Sequence, residues 1–245
     1  PIGAVVVLND VTQLKRLEQV RKDFVSNVSH ELKTPLTSIK GFVETLMDGA
    51  MDHKEDANRF LGIIGKHVDR LNAIIEDLLT LSRLEQGEGP SPQSMLEVGA
   101  LAEPVNEAVQ VCSSAAQEKQ IEMRTECPTD IYVEMNAPLL EQSLVHMLNN
   151  AIKYSDTGKK VSVTVTRSNR TVSVAVADQG AGISSEHLDR LFERFYRVDH
   201  ARSRNLGGTG LGLSIVRHIV ELHGGSIDVK SELCRASTFS ISLPV

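Results

Sequence analysis

The sequence predicts two domains of different class: a helical hairpin that forms a four-helix bundle in a dimer, followed by a two-layer α/β sandwich. Two helical patterns with apolar faces fill residues 12–86, a Gly/Pro/Ser-rich stretch covers 87–95, and helical patterns alternate with β-branched runs in 96–245. We therefore expect the domain boundary to lie within 87–95, which would act as a linker.

Composition argues against two classes of protein. The 245 residues are 41% hydrophobic and 24% charged, as in globular domains, and no apolar run reaches the roughly 20 residues that span a bilayer. A net charge of -6 argues against a broad basic face, so no nucleic-acid partner is expected. Cys112, Cys127 and Cys234 are far apart and are interpreted as small apolar side chains in a reducing compartment.

The first residues have the pattern of a strand that leads into a helix. The β-branched run GAVVVL at 3–8 predicts a buried strand, and a single strand is not stable alone. Residues 1–11 are therefore interpreted as the end of a truncated sheet domain, with Asp10 or Thr12 capping the helix that follows.

Two amphipathic patterns predict the hairpin. The first runs from about 12 to 46 with the three-, four- and seven-residue spacing of a coiled coil, Gly49 breaks it, and the second has a wide apolar face. The apolar positions are Leu14, Leu17, Phe24, Val28 and Leu32, then Phe60, Ile63, Ile64, Leu71, Ile74, Ile75, Leu78, Leu81 and Leu84. Two such hairpins pair as a four-helix bundle, which predicts a homodimer through residues 12–86.

A histidine with unusual neighbours lies in the first helix, in the stretch SHELKTPL. His30 is about 200° around the helix from Val28, so it is predicted to be exposed, with Thr34 on the same face. Pro35 cannot donate a hydrogen bond to the carbonyl of Glu31, which predicts a bend. Such a histidine is usually an ordinary surface residue, but neutral imidazole is also a nucleophile whose proton an adjacent carboxylate can take.

The second domain has an α/β pattern. Helices are predicted at about 99–118, at 137–154 and within GLGLSIVRHIVELHGG, and strands at IYVEM, VSVTVT, TVSVAVAD, SIDVK and STFSISLP. This order, with mostly antiparallel strands, favours a two-layer sandwich.

Two motifs of this domain carry side chains suited to a nucleotide. In LNNAIKYS, the amide oxygen of Asn150 suits magnesium, and Lys153 and Tyr154 supply a charge and a ring. In DQGAGI, Asp178 follows a strand and can accept a hydrogen bond from an exocyclic amine such as that of adenine, while the glycines leave room for a ring. Each motif alone also fits an ordinary helix end or turn.

Two further motifs follow. The aromatic stripe of LFERFYRVD is more often core packing, but the polar run with Arg197, Arg202 and Arg204 suits a mobile lid. In GGTGLGLSIV, glycines precede an apolar helix, so backbone N–H groups and the helix dipole can point at phosphate. The stretch lacks the G-K-[ST] of a P-loop, and no strand leads straight into it as in a dinucleotide fingerprint.

Together these motifs resemble those of the sensor histidine kinases of bacterial two-component systems, over nearly the whole chain. SHELKTPL resembles the phosphoacceptor box, NNAIKYS the asparagine box, FERFYR the phenylalanine box, and DQGAGI and GTGLGL the glycine boxes. GAVVVLNDVT resembles the last strand of a PAS sensor domain. The resemblance implies a HisKA-type dimerisation domain at 12–86 and a GHKL-type ATP-binding domain at 96–245, in the cytoplasmic portion of a membrane-anchored sensor.

The resemblance also implies a role for each residue. His30 would accept the γ-phosphoryl group of ATP with Glu31 as general base, and pass it to an aspartate of a response-regulator receiver domain. Thr34 would help water attack that phosphoaspartate, so phosphatase activity is expected too. Asn150 would coordinate Mg²⁺ and Asp178 would bind the adenine amino group. The other implied ATP-binding residues are Lys153, Tyr154, Gly180, Gly182, Ile183, Arg197, Arg202, Arg204, Gly208, Thr209, Gly210, Leu211, Gly212, Leu213 and Thr238.

The sequence departs from the family pattern at two places. His146 stands where the family has an asparagine, one helical turn before Asn150, so it should face the site. It either weakens the metal site or acts as the base that hydrolytic relatives place there. Cys234 and Ala236 replace the glycines of a G-x-G turn, which predicts altered turn geometry.

Two other functions fit parts of the sequence. A hydrolytic ATPase of the same fold would explain the nucleotide motifs, but it has no need of a dimeric hairpin with an exposed histidine. A degenerate kinase that dimerises and holds the regulator without phosphoryl transfer is favoured only by His146 and the altered turn.

Overall fold

A computed structural model of the chain describes residues 10–86, 96–198 and 208–245. The chain divides into two compact units, one up to Asn72 and one from Ala73 onward. The strand predicted at 3–8 and the linker predicted at 87–95 lie outside the described residues. Across those described ranges, no helix combines the length and apolar character that crossing a membrane requires.

Two long helices form the first part of the chain: α1 (Thr12–Met47) and α2 (Lys54–Gln86), joined through a short 3₁₀ turn at Ala50–Asp52. The N-cap of α1 is Val11, which has no side-chain cap hydrogen bond, so the prediction of Asp10 or Thr12 at that position was wrong; Asp10 lies one residue earlier and accepts from the backbone N–H of Thr12 at 2.9 Å. Gly49 has φ +111°, a conformation that glycine adopts without strain, and the predicted break between the helices is confirmed there.

In the first unit, α1 and α2 place apolar side chains against each other. The rings of Phe42 and Phe60 stack with centroids 5.5 Å apart, and Phe24, Val28 and Leu32 are half-buried. The side chains of Leu14 and Leu17, also predicted on this apolar face, lie outside what the structure describes.

In its described residues the second unit contains a five-stranded sheet of order β2-β4-β5-β7-β6 and a separate antiparallel pair, β1-β3. The strands are β1 (Glu97–Ala100), β2 (Glu122–Glu126), β3 (Tyr132–Met135), β4 (Lys160–Ser168), β5 (Thr171–Asp178), β6 (Ser226–Glu232) and β7 (Ala236–Pro244). Only β2 and β4 pair in parallel within the described sheet, so the mostly antiparallel prediction is confirmed.

Helices cover one face of this sheet, as the predicted two-layer sandwich requires. They are α3 (Ala102–Glu118), α4 (Ala137–Tyr154), the short α5 (Ser185–Leu188) and α6 (Gly212–Leu222). Alternate residues of the central strands, such as Val163, Val174 and Ile241, are buried in one core with Leu144 and Leu148 of α4. The helix predicted from residue 99 begins at Ala102 because β1 occupies the residues before it.

A buried histidine connects the start of α4 to the end of α6. The Nε2 atom of His223 accepts from the backbone N–H of Asn136 at 3.0 Å, and its Nδ1 lies 2.7 Å from the carbonyl of Ile219. Since a carbonyl only accepts, Nδ1 carries the proton. Asn136 also caps α4 by accepting from the N–H of Leu139, so two contacts fix the start of α4, the helix that carries Asn150.

Candidate functional site

His30 lies on an exposed face of α1, as predicted, and Thr34 is exposed on the same face. The Thr34 hydroxyl donates to the backbone carbonyl of His30 at 3.1 Å, which links the two residues. Together with Lys33, Thr37 and Ser38 they line a shallow depression along the helix. A histidine in this position is accessible to a second protein domain. α1 continues through Pro35, and the predicted bend stays a prediction.

The carboxylate of Glu31 is paired across the hairpin with Arg70 of α2. Nη2 of Arg70 lies 2.8 Å from Oε2 of Glu31, and the side chains are only 9% and 21% exposed respectively. Arg70 was not among the residues predicted from the sequence. A signal for it exists, because Ile63, Arg70, Asp77 and Leu84 are spaced seven residues apart, which places two charged residues at apolar positions of the heptad pattern.

The end of α4 carries Asn150, which is half-buried, and then Lys153 and Tyr154. The ammonium group of Lys119, a residue not predicted to contribute, donates to the carbonyls of Ile152, Lys153 and Ser155 at 3.0, 2.7 and 3.2 Å. A cation on the last carbonyls of a helix satisfies acceptors that have no partner within it. Lys119 therefore holds this end of α4 in place.

Asp178 ends β5 and is buried, with 6% of its surface exposed. Its Oδ1 accepts from the N–H of Gly180 at 2.8 Å. Burial raises the pKa of Asp178, and the N–H groups of Gly180 and Ser237 oppose that rise. A Cβ atom on Gly180 would lie 2.5 Å from the carbonyl oxygen of Tyr154, so the glycine allows this loop to lie against the end of α4.

Strand register separates Thr238 from Asp178. Ser237 pairs directly with Asp178 across β5 and β7, and both side chains are buried on the face that the helices cover. Because successive side chains of a strand alternate between faces, Thr238 points to the opposite side of the sheet. Ser237, which was not among the predicted site residues, shares the face of Asp178.

The loop after Asp178 packs against the turn between β6 and β7. The carbonyl of Ala181 accepts from the N–H of Cys234 at 2.7 Å, and the N–H of Ile183 donates to the hydroxyl of Ser231 at 2.8 Å. Gly182 has φ +64°, and a Cβ atom there would overlap the carbonyl oxygen of Glu232. The turn is therefore a structural support of the DQGAGI loop.

The cysteine interpretation holds for only part of the set. Cys112 is buried, and burial raises the pKa of its thiol to about 11, as expected for an apolar filler. Cys127 is half-buried, whereas Cys234 is exposed in the β6–β7 turn with φ +63°. The interpretation of Cys234 as a packed apolar side chain was wrong, because its position is a left-handed turn residue at the surface.

The residues 208–211 before α6, called the glycine loop, pack on the FERFYR stretch. The N–H of Phe195 donates to the carbonyl of Gly210 at 2.7 Å, and a Cβ atom on Gly210, which has φ +76°, would lie 2.9 Å from the Cα of Phe195. Phe195 and Leu211 are buried, which favours the packing role of the aromatic stripe. Arg197 is also buried, at 7% exposed, so it does not have the exposure expected of a lid residue. Arg202 and Arg204 lie outside the described residues.

His146 lies between Asp77 and the start of α6. Its Nε2 is 3.7 Å from Oδ1 of Asp77, and its Nδ1 would lie 3.0 Å from a Cβ atom on Gly212. The hydroxyl of Thr209 donates to the other oxygen of Asp77 at 2.7 Å and accepts from the N–H of Leu211 at 3.2 Å. The carboxylate of Asp77 is thus bonded to the glycine loop, and the imidazole of His146 lies between them.

Burial dominates the electrostatics of this pair. It raises the pKa of Asp77 and lowers the pKa of His146, while the opposite charge of each partner and the Thr209 hydrogen bond to Asp77 act in the other direction. Burial therefore favours an uncharged imidazole at position 146. Its ring nitrogens face Asp77 and Gly212, which gives His146 a packing environment within the second unit.

Two family models match the chain. The "His Kinase A (phospho-acceptor) domain" matches residues 20–87, and the "Histidine kinase-, DNA gyrase B-, and HSP90-like ATPase" matches residues 135–245. The first match contains His30 and Arg70, and the second contains Asn150, Asp178 and the glycine loop.

Curated relatives extend these matches. The chain is 39% identical to the sensor-like histidine kinase SenX3 of Mycobacterium tuberculosis H37Rv over 241 residues, which are 98% of this chain and 58% of SenX3. It is 35% identical to the sensor histidine kinase WalK of Bacillus subtilis over 245 residues, which are 99% of this chain and 39% of WalK. The chain thus spans between 39% and 58% of the length of these relatives.

Solved structures of histidine kinases align with most of the chain. Histidine kinase ThkA in complex with response regulator protein TrrA aligns with a TM-score of 0.72 and 25% identity, covering 96% of this chain and 68% of that chain. ShkA in complex with AMPPNP aligns with a TM-score of 0.62 and 26% identity, covering 93% of this chain and 45% of that chain.

Proposed function

The chain belongs to the sensor histidine kinases, and on that premise we propose that it is an ATP-dependent protein-histidine kinase acting on its own His30. One observation carries the proposal. The same chain combines two features. His30 is exposed, with Glu31 next to it and Thr34 on the same helix face, and Asp178 is a buried carboxylate at the start of the DQGAGI loop. A nucleotide site alone would fit many ATPases, but the exposed histidine supplies the acceptor.

The proposed ATP site is built from α4, the DQGAGI loop and the glycine loop. Asp178, fixed by the N–H of Gly180, accepts a hydrogen bond from the adenine amino group, and Ser237 rather than Thr238 lies beside it. The N–H groups at the start of α6 face phosphate oxygens. Tyr154 contributes an aromatic ring and Lys153 contributes a positive charge. The ammonium group of Lys153 lies 5.3 Å from the centre of the Tyr154 ring, so the two groups are next to each other.

Asn150 fits the proposed Mg²⁺ ion. Its half-buried amide on the last turn of α4 offers the neutral oxygen that magnesium accepts while retaining most of its waters. Bound magnesium would neutralise charge on the triphosphate. His146 is not included among the ligands, because imidazole is a poor magnesium ligand and its ring faces Asp77 and Gly212.

The proposed reaction has two phosphoryl transfers. A ring nitrogen of His30 forms a bond to the γ-phosphorus, the bond to the bridging oxygen breaks, ADP leaves, and the imidazole proton passes to Glu31. A receiver-domain aspartate then attacks the phosphorus, and the P–N bond breaks. Thr34 would orient water for hydrolysis of the phosphoaspartate. The regulator bound to ThkA and the AMPPNP bound to ShkA support these two substrate classes.

We further propose a homodimer through residues 12–86. Large apolar side chains of the first unit are exposed in the single chain, including Val25 at 57%, Leu36 at 61% and Leu61 at 56%. Exposed apolar side chains on a helical hairpin favour burial against a second copy. The cytoplasmic portion of a membrane-anchored sensor remains the predicted location.

Labelling tests the proposed function. The chain is incubated with γ-labelled ATP and magnesium, and the expected label is acid-labile, alkali-stable and absent from His30→Gln. That variant should still bind MgATP by calorimetry, since His30 is outside the nucleotide-site elements. Release of free phosphate without labelled protein would identify a hydrolytic ATPase instead. Absence of binding at millimolar MgATP would favour the non-catalytic alternative.

A further inference from the structure

Arg70 is a charged side chain in an apolar position of the first unit. It occupies the heptad position that Ile63 and Leu84 fill with apolar side chains, and only 9% of its side chain is exposed. Arginine is almost never buried unless it is paired. Its Nη2 atom donates to Oε2 of Glu31 at 2.8 Å, and this contact joins α2 to α1 through residues that are 39 positions apart in the chain. The contact is therefore part of how the hairpin packs.

The neighbours of Glu31 on its own helix do not provide a cation. The positions one turn away along α1 are Asn27, Val28, Thr34 and Pro35, and an intrahelical ion pair requires a basic residue at such a position. A glutamate side chain has three rotatable bonds, so it populates several rotamers unless a partner selects one. The guanidinium of Arg70 approaches Glu31 from α2 to 2.8 Å and is a partner of this kind.

We propose that Arg70 is the positioning residue for the autophosphorylation of His30. Its guanidinium holds the Glu31 carboxylate in one orientation beside His30, where the carboxylate takes the imidazole proton as the P–N bond forms. The inference rests on the proposed kinase function and deepens it. In this role Arg70 acts through Glu31 and is not assigned a contact with ATP or with the reacting nitrogen.

The role predicts a split between rate and affinity. A misplaced general base slows proton transfer, so Arg70→Met should lower the rate of His30 labelling by roughly 10–100-fold. The KM for ATP should stay within about twofold, because uniform binding of substrate is unaffected when a group acts only in the transition state. The predicted ATP-binding residues all belong to the second unit, which supports this expectation.

The variants form a double-mutant cycle with a matched control. We would measure labelling rates and ATP KM for the chain, Arg70→Met, Glu31→Gln and the double variant, with Arg83→Met as the control because Arg83 is an exposed arginine of the same helix. If Arg70 acts through Glu31, the double variant should be no slower than Glu31→Gln. Arg70→Lys should recover part of the rate, since it keeps the charge but lacks the planar fork.

Several outcomes would overturn the inference. Arg70→Met labelling at the unaltered rate would do so, as would a loss that adds fully to that of Glu31→Gln. If helical circular dichroism shows that Arg70→Met does not fold, Arg70→Lys decides. A lower labelling rate at unchanged KM supports the role if Arg70→Lys causes no further decrease in the Glu31→Gln background. An unchanged labelling rate in Arg70→Lys refutes the role. Absence of histidine label in the unmutated chain would instead overturn the proposed function, which keeps the two failures distinct.

Discussion

The contact between the DQGAGI loop and the β6–β7 turn can be tested by replacing Gly182 with alanine. A Cβ atom at Gly182 would lie 2.7 Å from the carbonyl carbon of Glu232 and 2.9 Å from the Cα of Leu233, and would overlap the carbonyl oxygen of Glu232. All three are backbone atoms, so no side-chain rotation relieves the overlap. The turn must move away from the loop.

Gly158 provides a matched control. It has φ +79°, close to the +64° of Gly182, but apart from its chain neighbours no atom of the described residues lies within 4 Å of its Cβ position. Alanine in the left-handed region costs roughly 1–2 kcal/mol at either site. Moving the turn at Gly182 additionally breaks two hydrogen bonds, those of Ala181 to Cys234 and of Ile183 to Ser231, at about 1 kcal/mol each. We expect Gly158→Ala to lose about 1–2 kcal/mol and Gly182→Ala about 3–4 kcal/mol.

Tyrosine fluorescence measures this difference in the second unit. The chain has no tryptophan, and its three tyrosines, Tyr132, Tyr154 and Tyr196, all lie in residues 96–245. Urea titration of each variant gives the free energy of unfolding of that region, and calorimetry gives MgATP affinity. Gly182→Ala should also bind MgATP more weakly, whereas Gly158→Ala should not. Equal losses of stability in the two variants would refute the steric argument.

Three further predictions concern single side chains. Thr34→Ala should still label on His30 but dephosphorylate a phosphorylated receiver domain roughly 10–100-fold more slowly, and equal loss of both activities would contradict the role. Burial lowers the pKa of His146 in the folded chain below its ordinary value of about 6.5. The stability that the neutral imidazole contributes is therefore complete above about pH 6.5 and is lost as the pH falls through the lowered pKa. Urea titration should show that acid destabilises His146→Gln less than the unaltered chain. Burial raises the pKa of Asp77, which disfavours its ionised form. Asp77→Asn can still accept the hydrogen bond from Thr209, so it should lower the free energy of unfolding by less than about 1 kcal/mol at pH 7. A larger loss of unfolding free energy in the same titration would show that the charge is stabilising.

The sequence by itself determined the features that depend on local pattern. Alternating valines predicted β4 and β5, because a strand buried on one face places every second side chain in the core. Gly49 predicted the break between α1 and α2 through its freedom at positive φ. The exposure of His30 followed from the 3.6-residue period of a helix, and the order of the motifs indicated the family.

Only the tertiary structure decided the features that depend on partners distant in the chain. β2 has the polar sequence EMRTE and forms because β4 offers a parallel edge, which its own residues do not indicate. Strand register selected Ser237 over Thr238 beside Asp178. The heptad pattern marks Arg70 as a charge in an apolar position, yet its pairing with Glu31 exists only after α1 and α2 pack, because the partner lies 39 residues away and no local rule joins them.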